Sequence, residues 1–146
     1  MKSILLVEDS KFLRKVIEAV LVKRGYSVVT ASDGEEALRI AYGRIPDLIL
    51  LDILLPRLGG PEVLQALKVS ALTAHIPVIV LSSLSQKNDT QLKKLGATAY
   101  FEKSKLALDQ HSNALIDIVK RTLGDVTEPD GDAVLPSRTT APSVPR

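Results

Sequence analysis

Short runs of Val, Ile and Leu alternate with longer amphipathic stretches along the first 123 residues of the chain. A run of about four to eight mostly apolar residues, bounded by polar ones, is typical of a parallel strand that is buried on both faces of its sheet. The pattern predicts five strands, over Ser3–Val7, Ser27–Ala31, Asp47–Leu51, Ile76–Leu81 and Thr98–Glu102.

The stretches between these runs repeat their apolar positions about every three to four residues, which is the spacing of an amphipathic helix. Ser10 and Asp33 stand where helix N-caps are expected, and Pro61 suits a first helical turn. Gly25 and Gly96 stand where helices are expected to end. The predicted helices cover residues 10–24, 34–43, 61–73, 86–95 and 106–123.

Five β–α units in succession predict an α/β fold, in which a doubly wound parallel sheet of five strands lies between two layers of helices. This alternation stops near Gly124. The 22 residues that follow include four prolines and have almost no hydrophobic periodicity. We therefore expect one domain over residues 1–123 and a disordered Pro/Ser/Thr-rich tail or linker stub over residues 124–146.

Composition excludes several classes of function. The chain has no cysteine and two histidines, which excludes disulfides, thiolate metal sites, a cysteine nucleophile and a histidine-rich metal site. A formal net charge of +2 is too small to indicate nucleic-acid binding by charge alone. The first apolar run meets Glu8 and Asp9 too soon for a signal peptide, and no stretch approaches the roughly 20 apolar residues of a membrane span. We expect a cytoplasmic protein that binds neither membrane nor, through this chain, nucleic acid.

Polar and charged residues follow the predicted strands at the points where these end. Glu8 and Asp9 follow the first strand, Asp52 follows the third, Ser82 the fourth and Lys103 the fifth. Because ligands of open α/β sheets bind beyond the carboxyl ends of the strands, we expect these side chains to meet at one edge. Ionised carboxylates this close repel one another, and a hard divalent cation relieves the repulsion. Oxygen ligands without His or Cys favour Mg²⁺.

The same set of residues suits phosphoryl transfer. Carboxylates act as nucleophiles toward phosphoryl groups and form aspartyl-phosphates. Phosphorylation of Asp52 would add about one negative charge, which a metal ion, the Lys103 ammonium and the Ser82 hydroxyl can stabilise. Because Asp52 ends a buried apolar run, a carboxylate without a function would be costly there.

A resemblance to a known family is carried by ILLVEDS (4–10), LILLDILLPRLGG (48–60), IPVIVLSS (76–83) and GATAYFEKS (96–104). The sequence resembles the receiver domain of two-component response regulators, in particular the single-domain, chemotaxis-regulator-like members. The resemblance covers residues 2–123 and implies a flavodoxin-like, three-layer fold with strand order 2-1-3-4-5.

The resemblance implies a phosphoacceptor and a metal site. Asp52 matches the residue that accepts the phosphoryl group. Glu8 and Asp9 match the acidic pair that holds Mg²⁺ together with Asp52 and the backbone carbonyl of Leu54.

Three further residues match positions that respond to the phosphoryl group. Ser82 matches the switch hydroxyl, Lys103 the lysine that contacts the phosphoryl group, and Tyr100 the aromatic residue that turns inward. From the residues alone, Tyr100 is equally well interpreted as a packing residue.

The sequence departs from the family pattern at several positions. Ser104 follows Lys103 where the family usually has proline, and Gly59 stands where an acid is more usual. Leu54 and Leu84 occupy the two positions whose side chains flank the phosphoryl group. Since neither side chain can orient an attacking water, we expect slow dephosphorylation.

The resemblance implies a phosphorylation-activated response regulator of a two-component phosphorelay. A sensor histidine kinase or phosphotransfer protein would phosphorylate Asp52, and an unknown downstream protein would recognise the changed surface. Such a phosphoacceptor assists its own phosphorylation and slow dephosphorylation but is not a turnover enzyme.

Two alternatives stay open: the N-terminal receiver of a longer DNA-binding transcriptional regulator, and a Mg²⁺-dependent phosphohydrolase with Asp52 as nucleophile. The basic residues of the first helix are either a docking surface for the kinase or an ordinary solvated face.

Overall fold

A computed structural model of the protein describes residues 1–82, 94–108 and 113–124. The helix predicted over 86–95, except for its last two residues, and the tail predicted beyond Gly124 lie outside these ranges, as do Leu84 and His111. The strands and helices in the described ranges are β1 (Ser3–Val7), α1 (Lys11–Lys23), β2 (Ser27–Ala31), α2 (Gly34–Arg44), β3 (Leu48–Asp52), α3 (Gly60–Val69), β4 (Val78–Ser82), β5 (Ala99–Glu102), α4 (Ser104–Leu108) and α5 (Asn113–Leu123).

The strands form one parallel sheet in the order β2-β1-β3-β4-β5. This confirms the α/β prediction and the strand order that the resemblance implied. Among the described residues, no helix has the length and apolar character needed to cross a membrane.

The helix starts follow the predicted caps. The Ser10 hydroxyl accepts a hydrogen bond from Leu13 N at 3.2 Å and begins α1. The Asp33 carboxylate accepts one from Glu36 N at 2.8 Å and begins α2, while Glu36 accepts from Ser32 N at 2.9 Å. These bonds satisfy N–H groups that have no partner inside the helix, so both predicted N-caps are confirmed.

The end of one described helix differs from the prediction. Helix α3 stops at Val69 instead of continuing to residue 73, because the buried Thr73 hydroxyl donates to the Leu67 carbonyl at 2.7 Å and the chain turns there. Within the helix predicted over 106–123, the described residues form α4 up to Leu108 and α5 from Asn113, and residues 109–112 lie outside the described ranges. Hydrophobic periodicity can continue past such a turn, so it does not show where a side chain ends a helix.

The core consists of apolar residues on both faces of the sheet. Along β1, Ile4 and Leu6 face α1 and α5, whereas Leu5 and Val7 face α2 and α3. All of β1 after Ser3, and all of β3 and β4, are buried. Each fully buried Leu or Ile side chain contributes about 1.5–3 kcal/mol of transfer free energy, so the sheet is a rigid support for residues at its edge.

The register of the strands decides which residues meet at the carboxyl edge. Val7 is level with Leu51 across the β1–β3 pair, so the residues after Val7 lie beside Asp52. Ser82 is level with Glu102 across the β4–β5 pair, so Lys103 follows at the same edge.

Candidate metal centre

Three carboxylates meet at the carboxyl edge of the sheet. Glu8 is fully buried, Asp52 is 2% exposed, and Asp9 is exposed. One carboxylate oxygen from each residue lies within 4.8 Å of the other two. Because this spacing matches oxygens around a shared ion, the group can hold a divalent cation.

Lys103, which directly follows β5, completes the centre. Its ammonium nitrogen lies 2.9 Å from Glu8 Oε1 and 3.0 Å from Asp52 Oδ1. The Lys103 N–H donates to the Ser82 carbonyl at 2.8 Å, which fixes its backbone to the end of β4. The lysine therefore reaches both buried carboxylates although Ser104, and not proline, follows it.

The protonation of Asp52 depends on opposing effects. Burial raises the pKa of its carboxyl group, the hydrogen bond from Lys103 lowers it, and the Glu8 charge raises it again, so that the pKa lies at about 6 instead of 3.8. Burial alone would lower the pKa of Lys103, but the nearby carboxylates of Glu8 and Asp52 outweigh this effect and raise the pKa. At neutral pH the centre thus contains an ionised Asp52 beside a protonated lysine.

The donor set fits a hard cation. Glu8 Oε2 accepts a hydrogen bond from Ser10 N at 3.1 Å, whereas buried Oε1 receives no hydrogen bond of good geometry and has the Lys103 ammonium as an ion-pair partner. Buried carboxylate oxygens with unused lone pairs are costly unless a cation or donor approaches them. The residues that could hold a metal ion are Glu8, Asp9 and Asp52.

An arginine that the sequence analysis did not single out supports the acidic pair. Arg14 Nη1 donates to the Glu8 carbonyl at 2.7 Å and lies 3.5 Å from the Asp9 carbonyl. Side chains on a helix lean toward its N-terminus, so a long residue in the second turn of α1 can reach back to these carbonyls. Because the other basic residues of α1 lean in the same direction, no signal in the sequence distinguishes Arg14 from them.

The turn after Asp52 is held by short backbone contacts. Leu54 N donates to Asp52 Oδ1 at 3.2 Å, while the Leu54 side chain is 59% exposed. Gly60 opens α3 so close to the turn that a Cβ there would lie 2.6 Å from both Asp52 O and Ile53 Cα. A glycine is therefore required for α3 to begin against the peptide of Asp52.

Ser82 lies at the carboxyl edge of the sheet, whereas Tyr100 packs against an apolar cluster beside it. Ser82 is 9% exposed and ends β4, level with the residue before Lys103. Tyr100 is half-buried and packs against the small cluster of Ile53 and Val80. Tyr100 therefore packs against a cluster that includes Ile53, the residue directly after Asp52. His75, the one histidine in the described ranges, is exposed and away from this edge.

Comparison with known proteins places this arrangement in a family. The sequence model of the response regulator receiver domain matches residues 4–115. The chain is 34% identical over 125 residues to the polar-differentiation response regulator DivK of Brucella ovis, covering 85% of this chain and 98% of that protein. It is 41% identical over 103 residues to the alkaline phosphatase synthesis transcriptional regulatory protein PhoP of Bacillus subtilis, covering 70% of this chain but 42% of that protein.

A solved structure shows the same fold. The receiver domain of sensor histidine kinase PA1611 from Pseudomonas aeruginosa, described with a magnesium ion coordinated in its active site cleft, has a TM-score of 0.74 and 31% identity. The match covers 84% of this chain and 98% of that one. With the family match over residues 4–115, these similarities show that the chain belongs to the response regulator receiver domain family of two-component signalling proteins.

Proposed function

We propose that Asp52 is the phosphoacceptor of this receiver domain and that its phosphorylation is the signalling event. The observation that carries the proposal is the contact of one ammonium, that of Lys103, with two buried carboxylates, at 2.9 Å from Glu8 and 3.0 Å from Asp52. A buried charged cluster of this kind is costly for stability alone, and it suits a site where negative charge is added.

Each residue has a role in the proposed transfer. An ionised oxygen of Asp52 forms a bond to phosphorus while the bond between phosphorus and the donor breaks. Lys103 stabilises the charge that arrives on the phosphoryl oxygens, and Ser82 donates a hydrogen bond to one of them. Tyr100, packed on the cluster after Asp52, is the residue through which the change reaches the outer surface.

Mg²⁺ is the proposed cofactor. Its ligands in this chain would be the carboxylates of Glu8, Asp9 and Asp52 and the backbone carbonyl of Leu54. When bound, it would neutralise negative charge on the carboxylates and on the phosphoryl group. Arg14 orients the acidic pair through the Glu8 carbonyl.

We propose a sensor histidine kinase or a phosphotransfer protein as donor and a downstream protein as the recipient of the signal. The proposed receiver covers residues 1–123, and residues 124–146 form a tail or linker. Phe12, at the start of α1, and Leu54, two residues after Asp52, are exposed apolar residues on the segments that follow β1 and β3, the side from which a donor must approach. Because the chain has no second acid–base carboxylate at position 54, we propose slow self-dephosphorylation and no turnover of substrates.

The test is intact-mass analysis after incubation with acetyl phosphate, with and without Mg²⁺. We expect a Mg²⁺-dependent gain of one phosphoryl group in the wild type and none in Asp52→Asn. Asp47→Asn, at the opposite end of β3, is the matched control and should gain the group. Beryllofluoride binding, observed by NMR, separates a failure to react from fast hydrolysis. No gain and no beryllofluoride binding would contradict the proposal.

A second candidate is the N-terminal receiver of a longer DNA-binding regulator. It is favoured by the match to PhoP, a transcriptional regulatory protein of which this chain spans 42%. Sequencing the gene beyond the codon for Arg146 tests it: a DNA-binding domain in the same reading frame would support it, and a stop codon would contradict it.

A further inference from the structure

The loop between β3 and α3 contains a strained turn at Arg57. The φ angle of Arg57 is +70°, in the left-handed region that residues other than glycine rarely adopt. Leu58 N donates to the Pro56 carbonyl at 2.7 Å, which closes a γ-turn centred on Arg57. A γ-turn with positive φ is rare and strained, and it persists only where surrounding contacts hold it.

The side chain of Arg57 supplies such contacts. Its Nη2 donates to Glu35 Oε1 at 2.8 Å, and its Nε lies 3.7 Å from Asp33 Oδ2. Asp33 is the N-cap of α2 and Glu35 lies in the first turn of that helix. The guanidinium therefore fastens the loop to the N-terminus of a helix that packs on the sheet.

The backbone on both sides of Arg57 is confined as well. A Cβ on Gly34 would clash with the carbonyl oxygen and Cβ of Leu58, so the α2 N-terminus lies directly against the loop. On the other side, Gly60 N donates to the Ile53 carbonyl at 3.1 Å. The loop is thus held between α2 and the peptide that follows Asp52.

We propose that Arg57 is a positioning residue for the metal centre, an inference that rests on the proposed function. By tying the loop to Asp33 and Glu35, Arg57 holds the Asp52–Leu54 turn in which Leu54 N donates to Asp52 Oδ1. That turn carries both the nucleophilic carboxylate and the backbone carbonyl proposed as a metal ligand. Arg57 touches neither, so it acts on the centre through the loop.

Four variants separate the effects of charge and strain. Arg57→Ala removes the ion pairs and keeps the strain, because alanine is also disfavoured at positive φ. Arg57→Gly removes the ion pairs and relieves the strain. Arg57→Lys keeps the charge, and Glu35→Gln removes the partner. Arg39→Ala is the matched control, since Arg39 is an exposed arginine on α2 whose ion pair with Glu36, at 3.8 Å, does not involve the loop.

The first readout is amide hydrogen exchange of Leu54 in the metal-free protein, measured by NMR. We expect exchange in Arg57→Ala to be about two- to fivefold faster than in the wild type, the factor that exposed ion pairs can supply. Glu35→Gln should change in the same direction, and Arg57→Gly and Arg57→Lys should lie between Ala and the wild type. A change in Arg57→Ala no larger than in Arg39→Ala would overturn the proposal.

The second readout is the Kd for Mg²⁺, measured by titration calorimetry. We expect it to rise in the same order of variants, again by about two- to fivefold in Arg57→Ala. If the wild type binds Mg²⁺ and Arg57→Ala binds it equally well, Arg57 has no positioning role. If the wild type binds no Mg²⁺, the proposed metal site is wrong, while the Leu54 exchange rates still decide whether Arg57 holds the turn.

Discussion

The ammonium of Lys103 lies 3.0 Å from Oδ1 of Asp52, whose side chain is 2% exposed. Removing one partner of a buried pair leaves a charge without compensation, which is more costly than the pair itself. The ion pair between Lys103 and Asp52 therefore determines how the stability of the metal-free centre responds to mutation and to pH.

Lys103→Met should destabilise the protein. The change leaves the buried carboxylates of Glu8 and Asp52 close together without a cation, and we expect the free energy of unfolding to fall by about 1–3 kcal/mol at neutral pH. The raised pKa of Lys103 means that its contribution is fully present below the ordinary value of 10.5 and is lost as the pH rises through the folded-state pKa. Urea denaturation in EDTA measures the change.

The control is Lys105→Met, because Lys105 is an exposed lysine two residues away. It should shift the free energy of unfolding by less than about 0.5 kcal/mol. Equal effects of the two substitutions would show that the ion pairs of Lys103 do not stabilise the fold.

Asp52→Asn should stabilise the metal-free protein in a pH-dependent way. The pKa of Asp52 is about 6 in the folded state against 3.8, so the folded state binds the proton more tightly and wild-type stability falls as the pH rises between these values. The uncharged variant avoids this loss, and the Lys103 ammonium keeps a buried partner because it also lies 2.9 Å from Glu8 Oε1. We expect a gain of about 1–2 kcal/mol near neutral pH that fades toward pH 4, measured by urea denaturation in EDTA. A gain of the same size at every pH would contradict the account.

Much of the fold and of the centre follows from sequence pattern. Buried runs located the strands, and polar residues at their carboxyl ends, such as Glu8 and Lys103, are brought together by the structure as expected. The strand order itself came from the resemblance, because alternation of strands and helices does not specify which strands are neighbours. Helix α3 ends early because the Thr73 hydroxyl donates a hydrogen bond to the Leu67 carbonyl. The spacing of apolar residues gives no sign of such a bond.

The two supporting arginines illustrate what sequence reasoning missed. Arg14 is half-buried and Arg57 is exposed, and in the sequence both look like ordinary basic residues, which are usually just solvated. What distinguishes them is a tertiary contact: a backbone carbonyl at 2.7 Å for Arg14 and a carboxylate at 2.8 Å for Arg57. Such contacts depend on loop conformation, which local propensity does not determine.

Gly60→Ala and Gly43→Ala should change stability in opposite directions. A Cβ on Gly60 would meet backbone atoms of Asp52 and Ile53 at 2.6 Å, so the start of α3 must shift. We expect a loss of about 1–3 kcal/mol for Gly60→Ala. Gly43 lies within α2 with nothing within 4 Å of its Cβ position, so Gly43→Ala should gain about 0.5–1 kcal/mol. Thermal denaturation compares them, and two losses of similar size would contradict the packing described for Gly60.

Leu54→Asn should accelerate loss of the phosphoryl group. The side chain at position 54 is 59% exposed beside Asp52, and an amide there can orient an attacking water, which leucine cannot. We expect dephosphorylation about tenfold faster, which corresponds to about 1.4 kcal/mol of transition-state stabilisation. Leu72→Asn, at an exposed leucine between α3 and β4, is the control. A time course of phosphoprotein decay in which wild type and Leu54→Asn coincide would refute the role of Leu54.

The central claim is that Asp52 carries the phosphoryl group. Borohydride reduction of the protein phosphorylated by acetyl phosphate converts an aspartyl-phosphate to homoserine, and peptide mass spectrometry then locates it. We expect conversion at Asp52 alone among the carboxylates of the centre, with Glu8 and Asp9 unchanged. Conversion at Asp9 or at a residue outside this edge of the sheet would contradict it.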